Sequence, residues 1–318
     1  MSKVSKRSRL VFAADVGGTH VRAAVVDQCG QVLHRTKQNT PHTSDPEEIV
    51  ELLVNAVKGA TTDQSEQISG VSVVVPGTVD AEHGTIVKAP NVSCLDGFNL
   101  TSALTAELGW PSVIENDANA AAVGEMWLGA GRGKRTIVCI TLGTGVGGGI
   151  ILNEKLWRGV DGAAAEIGHM CVDPFGGVPC GCGSNGCLEV YASATALVRM
   201  AQEAKPRYSK SILQRKGGLT AKTIFDAGMQ GDELALEVFQ RMGKYLGIGV
   251  ANLINILNPE MIVIGGGVIA GWELFEKSLR QQVDERAFPL LAGRVRIVRG
   301  ECGDDAGLLG AARLSFDK

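Results

Sequence analysis

Between Glu166 and Glu189 the sequence places Glu166-Ile167-Gly168-His169 and then Cys180-Gly181-Cys182-Gly183-Ser184-Asn185-Gly186-Cys187-Leu188-Glu189. Three thiolates and an imidazole are the ligand set of a closed structural Zn²⁺ site. The interleaved glycines permit the sharp turns that bring sulfurs onto one ion. A metal on His169, Cys180, Cys182 and Cys187 would pin a loop that carries Glu166 and Glu189 at its ends. The Cys-x-Cys step is tighter than the usual gap, and a disulfide pair or plain buried cysteines are the competing readings. Clustered cysteines beside a histidine, in a chain without an export signal, favour the metal.

Phosphate chemistry is suggested by three glycine turns. Gly17-Gly18-Thr19, Gly143-Thr144-Gly145 and Gly265-Gly266-Gly267 each follow an apolar run. Backbone N–H groups in such turns, backed by Thr hydroxyls, hold anionic phosphates. Any one of them is also readable as an ordinary tight turn. Asp15, just before the first turn, is placed to hold Mg²⁺ through water against phosphate oxygens.

Proton-transfer chemistry centres on Glu115-Asn116-Asp117-Ala118-Asn119, which follows the short strand Ser112-Val113-Ile114 and opens a helix over Ala118 to Leu128. Asp117 reads as the helix N-cap, whereas Asn116 is not needed for capping. An Asn-Asp pair at the mouth of a cleft can bind and deprotonate a hydroxyl, which makes Asp117 the candidate general base. Glu166, His169 and Glu189 add acceptors suited to a polyhydroxylated substrate. Glu166 and His169, three apart, share a face over one helical turn. His20, His34, His42 and His83 have no partner motif and read as surface or loop residues.

The elements that must position these residues repeat one plan. Leu10 to Val16, a glycine turn, Val21 to Val26 and a further turn into a third strand form one half. Thr136 to Leu142, Gly143 to Gly145, Gly148 to Leu152 and the turn at Asn153-Glu154 form the other. Because the glycines join strand to strand, they are not the helix-opening glycine loop of a dinucleotide or P-loop site. Helix patterns follow over Pro46 to Lys58, Val190 to Glu203 and Asp232 to Leu257. Buried strands then end at Pro76-Gly77-Thr78 and at Gly265. A duplicated α/β plan predicts two lobes facing across a cleft, residues 1–117 and 118–304. A last helix over Ala306 to Leu314, within a segment 305–318, crosses back to the first lobe.

The 318 residues carry a formal charge of -3 and no sustained basic patch, which argues against a nucleic-acid partner. Lys205 to Lys222 reads as a solvated, mobile stretch before a helix. The N-terminus is basic (Lys3, Lys6, Arg7, Arg9), but the apolar stretch behind it is too short for a signal peptide. No stretch approaches the ~18 apolar residues of a membrane span. The remaining cysteines, Cys29, Cys94, Cys139, Cys171 and Cys302, are dispersed and suit a reducing compartment. A cytoplasmic location is expected.

With those residues together, the chain resembles the ROK family of sugar kinases and repressors, in the actin/hexokinase-like (ribonuclease H-like) ATPase fold. The likeness runs from Asp15-Val16-Gly17-Gly18-Thr19 through Glu115-Asn116-Asp117, Leu142 to Gly149 and Glu166-Ile167-Gly168-His169 to the cysteine cluster. The resemblance implies Asp117 as catalytic base and a sugar site of Gly77, Asn91, Asn116, Asp117, Glu166, His169 and Glu189. It places ATP on Asp15, Gly17, Gly18, Thr19, Thr144, Gly145, Gly266 and Gly267. The zinc ligands would be His169, Cys180, Cys182 and Cys187. It implies ATP- and Mg²⁺-dependent phosphorylation of glucose at the 6-hydroxyl by a homodimer or higher homo-oligomer. Kinases of N-acetylmannosamine, fructose or allose share most of these residues. The family also contains repressors with an added helix-turn-helix domain, for which a first strand starting at Leu10 leaves no room. A non-catalytic sugar-binding module would tolerate loss of Asp117 or the phosphate turns, all of which are present.

Overall fold

The computed structural model describes residues 9–60, 68–215 and 217–318; Lys3, Lys6, Arg7 and Lys216 lie outside them. The first half of the chain supplies strands β1 (Leu10–Val16), β2 (His20–Asp27), β3 (Val32–Asn39), β4 (Ile68–Val75), β5 (Thr78–Asp80), β6 (Thr85–Lys88) and β7 (Ser112–Asn116). With them come helices α1 (Pro46–Ala60), α2 (Leu100–Leu108) and α3 (Asp117–Trp127). The second half contributes β8 (Ile137–Leu142), β9 (Val146–Leu152), β10 (Lys155–Leu156), β11 (Met261–Gly265) and β12 (Arg296–Arg299). Its helices are α4 (Glu189–Ala192), α5 (Ala194–Ala204), α6 (Ala221–Gly228), α7 (Glu233–Leu257), α8 (Trp272–Arg286), α9 (Pro289–Ala292) and α10 (Ala306–Phe316).

The two large sheets have one topology: β3-β2-β1-β4-β7 and β10-β9-β8-β11-β12. In each, the first three strands of the half run antiparallel and the next two join in parallel. A parallel strand covered on both faces must be apolar at nearly every position, and β1 shows why. Leu10, Phe12, Ala14 and Val16 pack with Ile49 and Leu53 of α1, while Val11 and Ala13 pack with Leu308 and Leu309 of α10. The chain therefore returns at its C-terminus to cover the first sheet. It also crosses α3, and the two helices meet through glycine. A Cβ on Gly310 would lie 1.7 Å from Ala120 O, and one on Gly124 would lie 2.2 Å from Ala306 O. Since α3 packs on β8 and β9 as well, it is shared between the halves.

Local chemistry accounts for most element ends. Asp232 caps α7 by accepting from Ala235 N, and Asn258 closes it in the left-handed region at φ 44°. The pattern expected as one helix over Val190 to Glu203 is broken: Ser193 is extended and caps α5 by accepting from Ala196 N. Lys205 to Lys222 is also not the loose stretch expected. Its described part folds into short 3₁₀ turns around the fully buried Leu213. Arg207 and Tyr208 tie to Glu237, and Ser211 and Ile212 tie to Asp232.

Candidate active site and metal centre

The matching topologies aim matching turns at one place. The β1–β2 turn, the β8–β9 turn and the carboxyl ends of β4, β7 and β11 border a cleft of about 1010 Å³. From the first half it is lined by Asp15, Gly17, Gly77, Asn91, Asn116 and Asp117. The second half adds Thr144, Gly145, Glu166, His169, Glu189, Gly266 and Gly267. Of the residues expected to hold sugar or nucleotide, only Gly18 and Thr19 stand beside the lining rather than in it. A Cβ on Gly18 would meet Asn91 O at 2.8 Å, so this glycine lets the turn close onto the Asn91 segment. Thr19 is exposed and its carbonyl accepts from Thr40 N.

The first two glycine turns are hairpin turns as expected, closed by Gly17 N to His20 O at 3.0 Å and Gly143 N to Gly145 O at 2.9 Å, whereas Gly265-Gly266-Gly267 leads from β11 into a 3₁₀ turn and α8. Gly77 and Gly266 sit at φ 128° and 87°, and an added Cβ would strike Lys88 O or Leu142 O. No other residue fits there without moving backbone.

At the head of α3 the capping roles differ from those expected. Asn116 is the N-cap, its Oδ1 accepting from Ala118 N and Asn119 N, and its Nδ2 donates to Gly77 O. Asp117 is the first helical residue. Two acceptors and one donor of the amide are thus committed to structure, leaving Asn116 one N–H for a ligand. The Asp117 carboxyl accepts from Ala118 N on Oδ1 at 2.8 Å and lines the cleft. Burial, with the Asp15 and Glu166 charges behind it, pushes its pKa up to about 6. That is the proton affinity of a base poised near neutrality.

Asp15 pairs with Arg22, which also reaches Asp304 O. Glu189 accepts Val146 N on Oε2 at 2.9 Å, which holds the β8–β9 turn and leaves Oε1 free of that bond. Glu166 begins a 3₁₀ turn ending at His169, whose Nε2 lies 3.9 Å from Glu166 Oε2. Of the remaining histidines, His83 pairs with Asp80, and His20 is half-buried with its Nδ1 enclosed. His83 is thus the exposed turn residue expected, whereas His20 lies within β2 rather than on the open surface.

His169 Nδ1 lies 3.6 Å from Cys180 Sγ, and Cys182 Sγ lies 3.7 Å from Cys187 Sγ. The four donor atoms all lie within 4.8 Å of one another, and the cysteines are free thiols. Bonds of ~2.3 Å to sulfur and ~2.0 Å to nitrogen give tetrahedron edges of ~3.5–3.8 Å, which the two separations match, so the donor set is compatible with zinc. The loop is anchored from beneath. Tyr191 accepts Val178 N, donates to Asp173 and stacks on Tyr245 at 3.8 Å.

Sequence reasoning missed the groups behind the site. Glu115, 2% exposed, accepts from Asn116 N, Asn119 Nδ2 and Arg158 Nε. Glu125, also buried, accepts from Ala130 N, Glu301 N and Cys302 N and ties α3 to the segment entering α10. A charged residue inside an otherwise small-residue helix such as α3 was the available signal for Glu125. Nothing local marks Arg158 as the partner of Glu115.

The sequence pattern that defines the ROK family matches residues 11–318. The chain belongs to the ROK family. It is 39% identical to the glucokinase of Halalkalibacterium halodurans over 96% of its own length and 94% of that protein's. It is 36% identical to the Thermotoga maritima glucokinase over 96% of both. The ROK glucokinase of Streptomyces griseus, crystallised with glucose and AMPPNP, superposes with a TM-score of 0.81 at 38% identity, over 97% of this chain and all of that one. The fold is the actin/hexokinase-like fold of ROK sugar kinases.

Proposed function

We infer that this ROK protein transfers the γ-phosphoryl group of ATP to the 6-hydroxyl of glucose. The observation that carries the reading is Asp117, a carboxylate of near-neutral proton affinity set in the cleft between phosphate-type glycine turns and an acidic wall. In this reading Gly77, Asn91, Asn116, Glu166, His169 and Glu189 hold the sugar hydroxyls. The turns at Gly17-Gly18-Thr19, Thr144-Gly145 and Gly266-Gly267 receive the nucleotide. An apolar recess of about 390 Å³, lined by Leu197, Phe225 and Val268 and continuous with Gly143 and Gly267, suits the nucleobase.

Asp117 accepts the proton of the 6-hydroxyl as that oxygen bonds to the γ-phosphorus. The bond to the β,γ-bridging oxygen breaks, and ADP leaves. Closure of the lobes around the sugar excludes water, so that the hydroxyl and not solvent attacks. The cleft holds Asp15, Asp117, Glu166, Glu189 and Asp304 against two fixed cations, Arg22 and Lys88, both already paired. An anionic nucleotide entering such a wall requires a divalent cation. Asp15 is the residue that would hold Mg²⁺, through water, and the ion would neutralise charge on the β- and γ-phosphates. His169, Cys180, Cys182 and Cys187 would hold Zn²⁺, which would keep the Glu166–Glu189 segment in shape and supply no part of the transfer.

A homodimer in the cytoplasm completes the reading, and eight free thiols suit a reducing compartment. Light scattering of the purified protein gives the oligomer size. Phosphorus-coupled NMR of the product tests the chemistry: glucose 6-phosphate is expected, and phosphate on any other position rejects the assignment.

A further inference from the structure

We propose that Arg158 and Glu115 form a strut between the lobes that fixes the catalytic base relative to the sugar-binding loop, with Arg158 a positioning residue. The proposal rests on reading Asp117 as the base. Glu115 ends the central run of β7 in the first lobe, two residues before Asp117. Its Oε1 accepts from Asn116 N and from Asn119 Nδ2 at 3.0 Å each, which holds both sides of the α3 cap. Its Oε2 accepts from Arg158 Nε at 2.7 Å, and Arg158 belongs to the other lobe, in the loop after β10. That loop lies on the first lobe at a second point. Gly162, at φ 88°, approaches so closely that a Cβ would stand 2.1 Å from Val79 O. Arg158 O then accepts from Ala164 N, two residues before Glu166. One buried carboxylate thereby connects the backbone of the base to the backbone of the sugar loop through a single guanidinium.

A reaction that depends on placing a hydroxyl between base and phosphorus is sensitive to shifts of about 1 Å in such a frame. A buried ion pair that served stability alone would show a different pattern. Arg158→Met, Arg158→Lys and Arg158→Met/Glu115→Gln are measured beside Asp117→Asn, for kcat, for KM of each substrate and for melting temperature. The strut predicts a kcat loss of about tenfold or more in Arg158→Met with a raised glucose KM and an ATP KM within about twofold of the parent. Arg158→Lys recovers part of the loss, because the charge returns without the guanidinium's fixed Nε donor. The double variant removes the stranded carboxylate charge while its Gln oxygen still accepts from Asn116 and Asn119. It therefore regains melting temperature but not kcat. Parent kcat in Arg158→Met, or full recovery of kcat in the double variant, overturns the strut. An Asp117→Asn variant that still turns over removes the underlying reading of the base instead.

Discussion

Replacing Asp117 by Asn keeps its shape and its bond to Ala118 N but removes the proton acceptor. A kcat loss of at least ~10²-fold, with glucose affinity little changed, is expected in steady-state assays. In the parent, kcat/KM should fall on the acid side with an apparent pKa near the value of about 6 set by burial beside Asp15 and Glu166. The same shift acts on stability. The folded carboxyl binds its proton more tightly than the unfolded one, whose value is the ordinary 3.8. Its contribution to stability is thus complete below pH 3.8 and lost as pH rises through about 6. Asp117→Asn should then be the more stable protein at pH 7, by on the order of 2 kcal/mol, and should converge with the parent near pH 4. Denaturant titrations at the two pH values, without nucleotide or metal, decide this. Asp117 was legible in the sequence because an Asn-Asp pair at a strand-to-helix junction supplies one residue more than a cap needs. The division of labour was not. Either Asn116 or Asp117 can cap a helix, and only the backbone placement of the helix start, one residue earlier than the pattern suggested, gives the cap to Asn116.

Among the elements, the zinc loop carries the sharpest expectation. Elemental analysis of the purified protein should find about one Zn²⁺ per chain, and Cys182→Ser should lower both that content and glucose affinity. Because Tyr191, Tyr245 and Asp173 anchor the loop independently, chelation should weaken glucose binding before it lowers the melting temperature. A Cys182–Cys187 disulfide in the active protein contradicts this account. At the α3–α10 crossing, Gly310→Ala should cost about 1–3 kcal/mol by overpacking, measured as a lower melting temperature, since its Cβ has no room against Ala120. Strands with two covered faces and hairpin glycines were readable from the sequence because apolar runs and turn residues act locally. The folding of Lys205 to Lys222 and the hold of Glu125 on the chain entering α10 were not, because their partners lie far away in sequence, and the break at Ser193 was hidden because its local cap on Ala196 falls inside a continuous helical pattern.

For the molecule as a whole, the repeated strand order explains why one cleft gathers residues from both halves. Two sheets of equal topology present the same turns, and α3, packed on both, keeps them facing. The repeat was visible in sequence through paired glycine turns and paired apolar strands. The bond from Arg158 to Glu115 was not, since neither residue breaks a local pattern. The central claim is the transfer of phosphate to glucose, and a coupled assay of ADP release across hexoses and N-acetylhexosamines tests it directly. The account predicts glucose as the acceptor with the highest kcat/KM, with mannose and other hexoses weaker. ADP release that glucose fails to stimulate, or N-acetylmannosamine turned over at least about tenfold better, would contradict it.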